Sequence, residues 1–214
     1  VAPEKALIPK PTKVLFEIAA ALPIAGITAL QALRDKGNIQ KGQKVLIVGS
    51  GGGVGTFAVQ LAKYFGAEVA AVCSSKNVAQ TSSLGADYVI DYTKEDFTKN
   101  KRCYDLIIAI NGNHPLFAYK RILNPNGIYV MVGGALLQIF RSILFGWLMS
   151  FGSKKMCSLA AKSNQKDLEF IVKLVEDDKI KPIIDRRYSL DKVADCMKYL
   201  GEGHARGKVV INVE

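Results

Sequence analysis

The chain of 214 residues has few of the residues that build metal or hydrolytic sites: two histidines and four cysteines. Cys73, Cys103, Cys157 and Cys196 stand far apart without a C-x-x-C pair, so neither a zinc lobe nor a disulfide framework is expected, and no metal site is assigned. Unpaired cysteines make a reducing, cytoplasmic setting the default. No Ser/His/Asp constellation or carboxylate pair stands out, and His114 and His204 read as surface or turn residues. Acidic residues are also scarce, 19 against 29 basic ones, for a net charge of +10. The basic clusters Lys99-Asn100-Lys101-Arg102, Lys154-Lys155 and Arg186-Arg187 are scattered. No helix-turn-helix, RNA-binding signature or aromatic interleaving accompanies them, so they read as solvated faces and no nucleic-acid partner is expected. Part of the surplus serves to steer a polyanionic ligand towards a cleft. No repeat or low-complexity linker appears, and 49% hydrophobic with 22% charged residues is ordinary for one globular core.

Glycine, by contrast, is concentrated in one place. Gly49-Ser50-Gly51-Gly52-Gly53-Val54-Gly55 follows the apolar run 45–48 and opens a stretch in which Val54, Phe57, Ala58, Leu61, Ala62 and Phe65 fall at offsets 0, 3, 4, 7, 8 and 11. That spacing makes one apolar helical stripe, which Gly66 ends. A second short apolar run, 69–72, follows, completing a strand, glycine turn, helix, strand unit of the dinucleotide-binding type. Backbone without side chains turns sharply and approaches a ligand closely, and the N–H groups and dipole of the helix start favour an anion. A strict G-x-G-x-x-G would need glycine at position 50, where Ser50 stands.

Further apolar runs at 88–90, 106–110 and 128–132 are continuous rather than alternating, as in strands covered on both faces. Helical connections accompany them, clearest at 166–176, where Leu168, Ile171, Val172 and Val175 share a face. The expected fold is α/β, a doubly wound parallel sheet of the Rossmann kind. Ligands of such sheets sit beyond the carboxyl ends of the strands, which puts Asp91-Tyr92, Asn111-Gly112 and Gly133-Gly134 on one rim with the glycine loop.

The ligand class follows from what surrounds the loop. A Walker A turn ends in Gly-Lys-Ser/Thr, and Gly55-Thr56 supplies no lysine, which disfavours an ATPase. S-adenosylmethionine binds on similar sheets and is the other reading. At the end of the second strand an NAD site places an acid on the ribose; here the chain reads Cys73-Ser74-Ser75-Lys76-Asn77, hydroxyls and one cation. Such donors suit a 2′-phosphate, favouring NADPH over NADH and over S-adenosylmethionine. Lys76 could equally be a solvated residue starting the next helix.

Residues 17–33, reading EIAAALPIAGITALQAL, together with the Gly-Gly-Val-Gly turn, Leu84-Gly85-Ala86-Asp87 through Asp91-Tyr92, and Arg206-Gly207-Lys208-Val209-Val210-Ile211, resemble the medium-chain dehydrogenase/reductase superfamily. The zinc-independent quinone oxidoreductase branch is the nearest in pattern. The resemblance implies an N-terminal GroES-like barrel, of which residues 1–12 resemble the last stretch, with 13–214 as the Rossmann domain and its C-terminal strand; the chain then reads as a fragment holding the cofactor half. It also implies a pyrophosphate turn at Gly51, Gly53, Val54 and Gly55, a polar 2′-phosphate position at Ser74, and a tyrosine beside the adenosine ribose at Tyr92. Many members carry serine where Gly51 stands, so one side-chain contact to phosphate is lost. Arg206 and Lys208 fit the family's ending, either towards the cofactor or as solvated charges at a strand edge. The cofactor-binding set is thus Gly51, Gly52, Gly53, Val54, Gly55, Ser74, Lys76, Tyr92, Asn111 and Gly133, with no catalytic residue named. The implied reaction is hydride transfer from NADPH to a small-molecule quinone or enone; the rival is a non-catalytic nucleotide-binding or scaffold module.

Residues 135–152, ALLQIFRSILFGWLMSFG, approach the length of a membrane span. Arg141, Gln138 and two serines argue against spanning, and the segment reads as a cleft lid or interface. With strand 128–132 beside it as an exposed edge, a homodimer through that strand is expected, with Trp147 withdrawn from water.

Overall fold

The computed structural model describes residues 3–112, 114–133 and 153–213. The segment 135–152, with Trp147, therefore lies outside the described residues, as does Gly134. Six strands form one parallel sheet: β1 Lys44–Val48, β2 Glu68–Cys73, β3 Tyr88–Asp91, β4 Tyr104–Ile110, β5 Leu123–Val132 and β6 Lys155–Leu159, in the spatial order β3-β2-β1-β4-β5-β6. The order reverses beside β1, which makes the fold doubly wound and puts the switch point at its carboxyl end.

Successive side chains of a strand face opposite ways, and each face has its own core. Val45, Ile47, Val69, Ala71, Leu106 and Ile108 join one cluster, while Leu46, Val48, Ala70, Val72, Ile107 and Ala109 join the other. Both sets are apolar, which is why the runs show no alternation. On the first face pack α2 Pro23–Gln31, α3 Gly53–Tyr64 and α6 Gln165–Glu176. The second face is covered by Phe97, Tyr119 and Ile122 around α5 Leu116–Arg121. Two short helices complete the set so far, α1 Phe16–Ala21 and α4 Val78–Ser83.

The strand 128–132 is not an edge. β5 is hydrogen-bonded to β4 on one side and to β6 on the other, and Val130 is fully buried; the dimer expected through β5 is corrected accordingly. Among the described residues the edge on that side is β6, whose KMCSL sequence is too short and too polar to stand out as an apolar run.

A second sheet pairs β7 Ile184–Ser189 with β8 Lys208–Asn212 in parallel, with α7 Val193–Gly201 between them in sequence. The basic pair in β7 is more than a solvated face. Arg187 Nε lies 2.7 Å from Glu17 Oε2 on α1, and the Arg186 guanidinium stacks 3.7 Å over the Tyr199 ring. Gln60 on α3 ties this sheet to the first: its Nε2 donates to the Lys181 carbonyl at 2.9 Å and its Oε1 accepts from Lys181 N at 2.7 Å.

Candidate functional site: the glycine turn and its rim

Gly49 leaves β1 at φ +83, and a Cβ there would collide with the Ile110 carbonyl of β4. The Val72 carbonyl holds the turn from the β2 side, accepting from Gly49 N, Ser50 N and Ser50 Oγ, each at 3.0 Å. Ser50 is fully buried and its hydroxyl also lies 3.5 Å from Thr81. It faces the fold rather than a ligand, which is how the turn works without glycine at that position.

The remaining glycines have separate reasons. At Gly55 a Cβ would overlap the Gly49 carbonyl and come within 2.6 Å of Ser50 Cα, so Gly55 brings α3 against the turn. At Gly52, the N-cap of α3, the only atom of the described residues near a Cβ is the Gly49 carbonyl oxygen at 4.0 Å. That open space, bordered by the first-turn N–H groups of Gly53, Val54 and Gly55, which have no intrahelical acceptor, is a cradle of the kind that takes phosphate oxygens. Gly53 lies under the Lys208 side chain, whose Cδ is 3.0 Å from its Cβ position. Gly51 lies under Asn77, whose amide fills the room a side chain would take.

The other expected residues stand at the carboxyl ends of the neighbouring strands, on the same side of the sheet. After β2 a short 3-10 turn, Ser75–Asn77, carries the polar group. Ser74 Oγ accepts from Asn77 Nδ2 at 3.3 Å, and Lys76 is exposed with no hydrogen-bond or ion-pair partner among the described residues. Tyr92, 58% exposed, is held by its N–H to the Cys73 carbonyl at 3.0 Å. Asn111 and Gly133 both take left-handed conformations, φ +53 and +67, where β4 and β5 end, with Asn111 Oδ1 3.2 Å from the Gly133 Cβ position.

An acid does stand next to the end of β2, supplied by the adjacent strand. Asp91 is in register with Cys73. Its carboxylate accepts from Ser75 Oγ at 2.5 Å and from Thr93 N and Oγ1 at 3.0 and 2.7 Å, with Lys94 Nζ 3.7 Å away. The Ser75 bond above all, then those from Thr93, outweigh burial and bring its pKa down to about 2. Its acceptor capacity is spent on the loop rather than on a ribose. Reading β2 alone missed this contact, as it missed Asn77 and the approach of Lys208. The absence of a side chain at position 51 was the available signal for Asn77.

A protein-family model described as zinc-binding dehydrogenase matches residues 84–211, more than half of the chain. The chain belongs to the medium-chain dehydrogenase/reductase superfamily. It is similar, at 36% identity over 213 residues, to 2-methylene-furan-3-one reductase of Solanum lycopersicum, covering 98% of this chain and 50% of that protein. A mitochondrial NAD(P)H oxidoreductase of Mus musculus is 34% identical over 227 residues, covering 95% of this chain and 57% of that one. Among solved structures, a quinone oxidoreductase from Coxiella burnetii superposes with a TM-score of 0.88 at 34% identity, over 97% of this chain and 64% of its own. The chain thus spans about half to two thirds of the length of these relatives. Among the described residues no cluster of His, Cys, Asp and Glu could hold a metal ion, and no helix is long and apolar enough to cross a membrane.

Proposed function

We propose that this chain is the nicotinamide-dinucleotide-binding part of a reductase that passes hydride to a quinone, an enone or a related conjugated carbonyl, with NADPH as the preferred cofactor and no zinc in the reaction. The observation that carries the reading is the open cradle at Gly52, set at the start of α3 and beside the switch point of the sheet. Relatives described as a quinone oxidoreductase, a furanone reductase and an NAD(P)H oxidoreductase support the reaction class. The cofactor supplies the hydride chemistry. The chain binds and orients: the first turn of α3 meets the pyrophosphate, Ser74 and Lys76 meet the 2′-phosphate, Tyr92 flanks the adenosine, and Asn111 and Gly133 border the nicotinamide end.

The preference for NADPH rests on Lys76, a cation without a partner among the described residues, on a turn whose Ser75 already holds the Asp91 carboxylate. A charge-assisted phosphate contact contributes about 1.5–3 kcal/mol, so NADPH binds roughly tenfold to a hundredfold more tightly than NADH. Lys76→Glu reverses or erases that ratio. Superimposable titration curves for the two cofactors in the wild type contradict the assignment.

Pairing of two copies belongs to the same proposal, through β6 in place of β5. Its outer edge carries no partner strand among the described residues, and a bare edge invites pairing. Sedimentation at micromolar concentration then gives a dimer; a monomer contradicts it.

A further inference from the structure

The basic run Lys99-Asn100-Lys101-Arg102 forms one wall of a cavity at the amino end of β4, which Arg121 and Ile122 complete from the end of α5. The cavity has a volume of about 440 Å³ and is lined by residues 98–103, Arg121 and Ile122. Among these described residues four are cationic, none is acidic, and Ile122 is the one aliphatic side chain. Because the strands are parallel and β4 runs for seven residues, the cavity lies about 20 Å from the glycine turn, at the opposite edge of the sheet.

Its walls are fixed in place. Phe97 and Thr98 are buried and anchor the loop, and Asp96 Oδ1 accepts from Thr98 N at 2.9 Å and from Thr98 Oγ1 at 2.7 Å. Arg121 Nη2 donates to the Thr98 carbonyl at 2.8 Å and Tyr104 N to the Ile122 carbonyl at 2.9 Å, so the loop and the helix end are tied to each other. Arg102 N donates to Asn100 Oδ1 at 3.2 Å, and the Arg102 guanidinium lies 4.0 Å over the Tyr88 ring. What the described residues do not supply is negative charge. Asp96 reaches Lys99 at 3.5 Å with the lysine largely exposed, a contact that contributes little. Asp105, the next acid along the chain, is engaged by Lys44 N at 2.8 Å and Asn124 Nδ2 at 2.7 Å. Lys101 has no partner among the described residues, and neither Arg102 nor Arg121 has an acidic one. Like charges gathered round one cavity repel each other, and an anion between them relieves that repulsion.

We propose that this cavity binds a small polyanion carrying two or more phosphate groups. The guanidinium forks of Arg102 and Arg121 suit pairs of phosphate oxygens, and the two lysines add point charges. The volume is that of a small-molecule pocket. With Ile122 as the single aliphatic lining residue, the ligand is charged along most of its length rather than built on an apolar ring. The cations are confined to one loop and one helix end, which favours such a molecule over the extended charged track that a nucleic acid needs. The proposal stands apart from the cofactor reading, since the two sites occupy opposite edges of the sheet.

Cys103, exposed in the wall of the cavity, reports on occupancy. Its rate of alkylation by iodoacetamide, a neutral reagent, is followed by peptide mass spectrometry against inorganic tripolyphosphate at constant ionic strength. Saturable protection is expected in the wild type, with the same midpoint in Gly52→Val, whose change lies at the distant glycine turn. Lys101→Glu, at an exposed position, is expected to keep the wild-type thermal midpoint and to raise the protection midpoint about tenfold or more. The proposal is overturned by an absence of saturable protection in the wild type, by an unchanged midpoint in Lys101→Glu, or by sulfate protecting as well as tripolyphosphate. Protection lost in Gly52→Val also overturns it, because the anion then acts from the glycine turn. So does a short RNA duplex that protects at a lower phosphate concentration than tripolyphosphate, which makes the face a nucleic-acid surface instead.

Discussion

The glycines of the turn are interchangeable on paper and unlike one another in the fold. At Gly55 an added methyl meets the backbone of Gly49 and Ser50, which cannot swing aside, so Gly55→Ala is expected to cost about 1–3 kcal/mol or more, seen as a lowered thermal midpoint. Gly52→Ala meets nothing closer than 4.0 Å among the described residues and keeps an N-cap at φ −90 that any L-residue adopts. It should unfold like the wild type and still bind dinucleotide poorly, because its methyl takes the phosphate's space; wild-type affinity there would remove the cradle from the account. Sequence reasoning puts Gly53 at the phosphate, whereas the fold lays the flexible Lys208 stem on it, making Gly52 the cleaner probe. The turn itself was legible because its glycines sit between an apolar run and a helical stripe. The division of labour was not, because it depends on contacts with Ile110, Asn77 and Lys208, which are distant in sequence.

Among the elements, α2 and α6 are joined by a polar clip under an otherwise apolar contact. Asp167, 4% exposed, accepts from Gln31 Nε2 at 2.6 Å, Arg34 Nη2 at 2.7 Å and Asn164 Nδ2 at 2.8 Å, while its own N–H is capped by Asn164 Oδ1 at 2.9 Å. Burial by itself would raise its pKa, but the bonds from Gln31, Asn164 and Arg34 outweigh it and hold the value below the ordinary 3.8. A depressed native pKa contributes stability that is present above the unfolded value and lost as pH falls through the native one. Asp167→Ala is expected to lose about 1–3 kcal/mol near neutrality, since Gln31, Arg34 and Asn164 lose an ionised acceptor and Gln31 keeps only its two bonds to Lys162, and the gap from wild type should close in acid. A gap that is constant with pH contradicts an ionised Asp167. Elements were legible in proportion to their burial. Strands β1, β2, β4 and β5 have apolar cores on both faces and declared themselves as unbroken runs, and α6 declared itself by a one-sided stripe. β6 and β7 did not, because KMCSL and IDRRYS are half-exposed and depend on neighbours; Arg187 earns its place through Glu17, on a helix far away in sequence.

For the whole molecule, the two sheets meet at one edge. The large sheet presents its strand ends and the glycine turn, and the small one leans Arg206 and Lys208 over that turn from the far end of the chain. Under the proposed cofactor reading, the same geometry would give the surplus of positive charge a local use, since cations gathered where a polyanion docks raise its local concentration. The central claim is that this edge holds a nicotinamide dinucleotide, and fluorescence titration of NADPH into the wild-type chain and Gly52→Val tests it most directly. The account predicts saturable binding displaced by ADP-ribose in the wild type, weakened on the order of tenfold or more in a variant with an unchanged circular dichroism spectrum. A folded wild type that shows no saturable binding of NADPH or NADH, or a Gly52→Val variant that binds as tightly as the wild type, would contradict it.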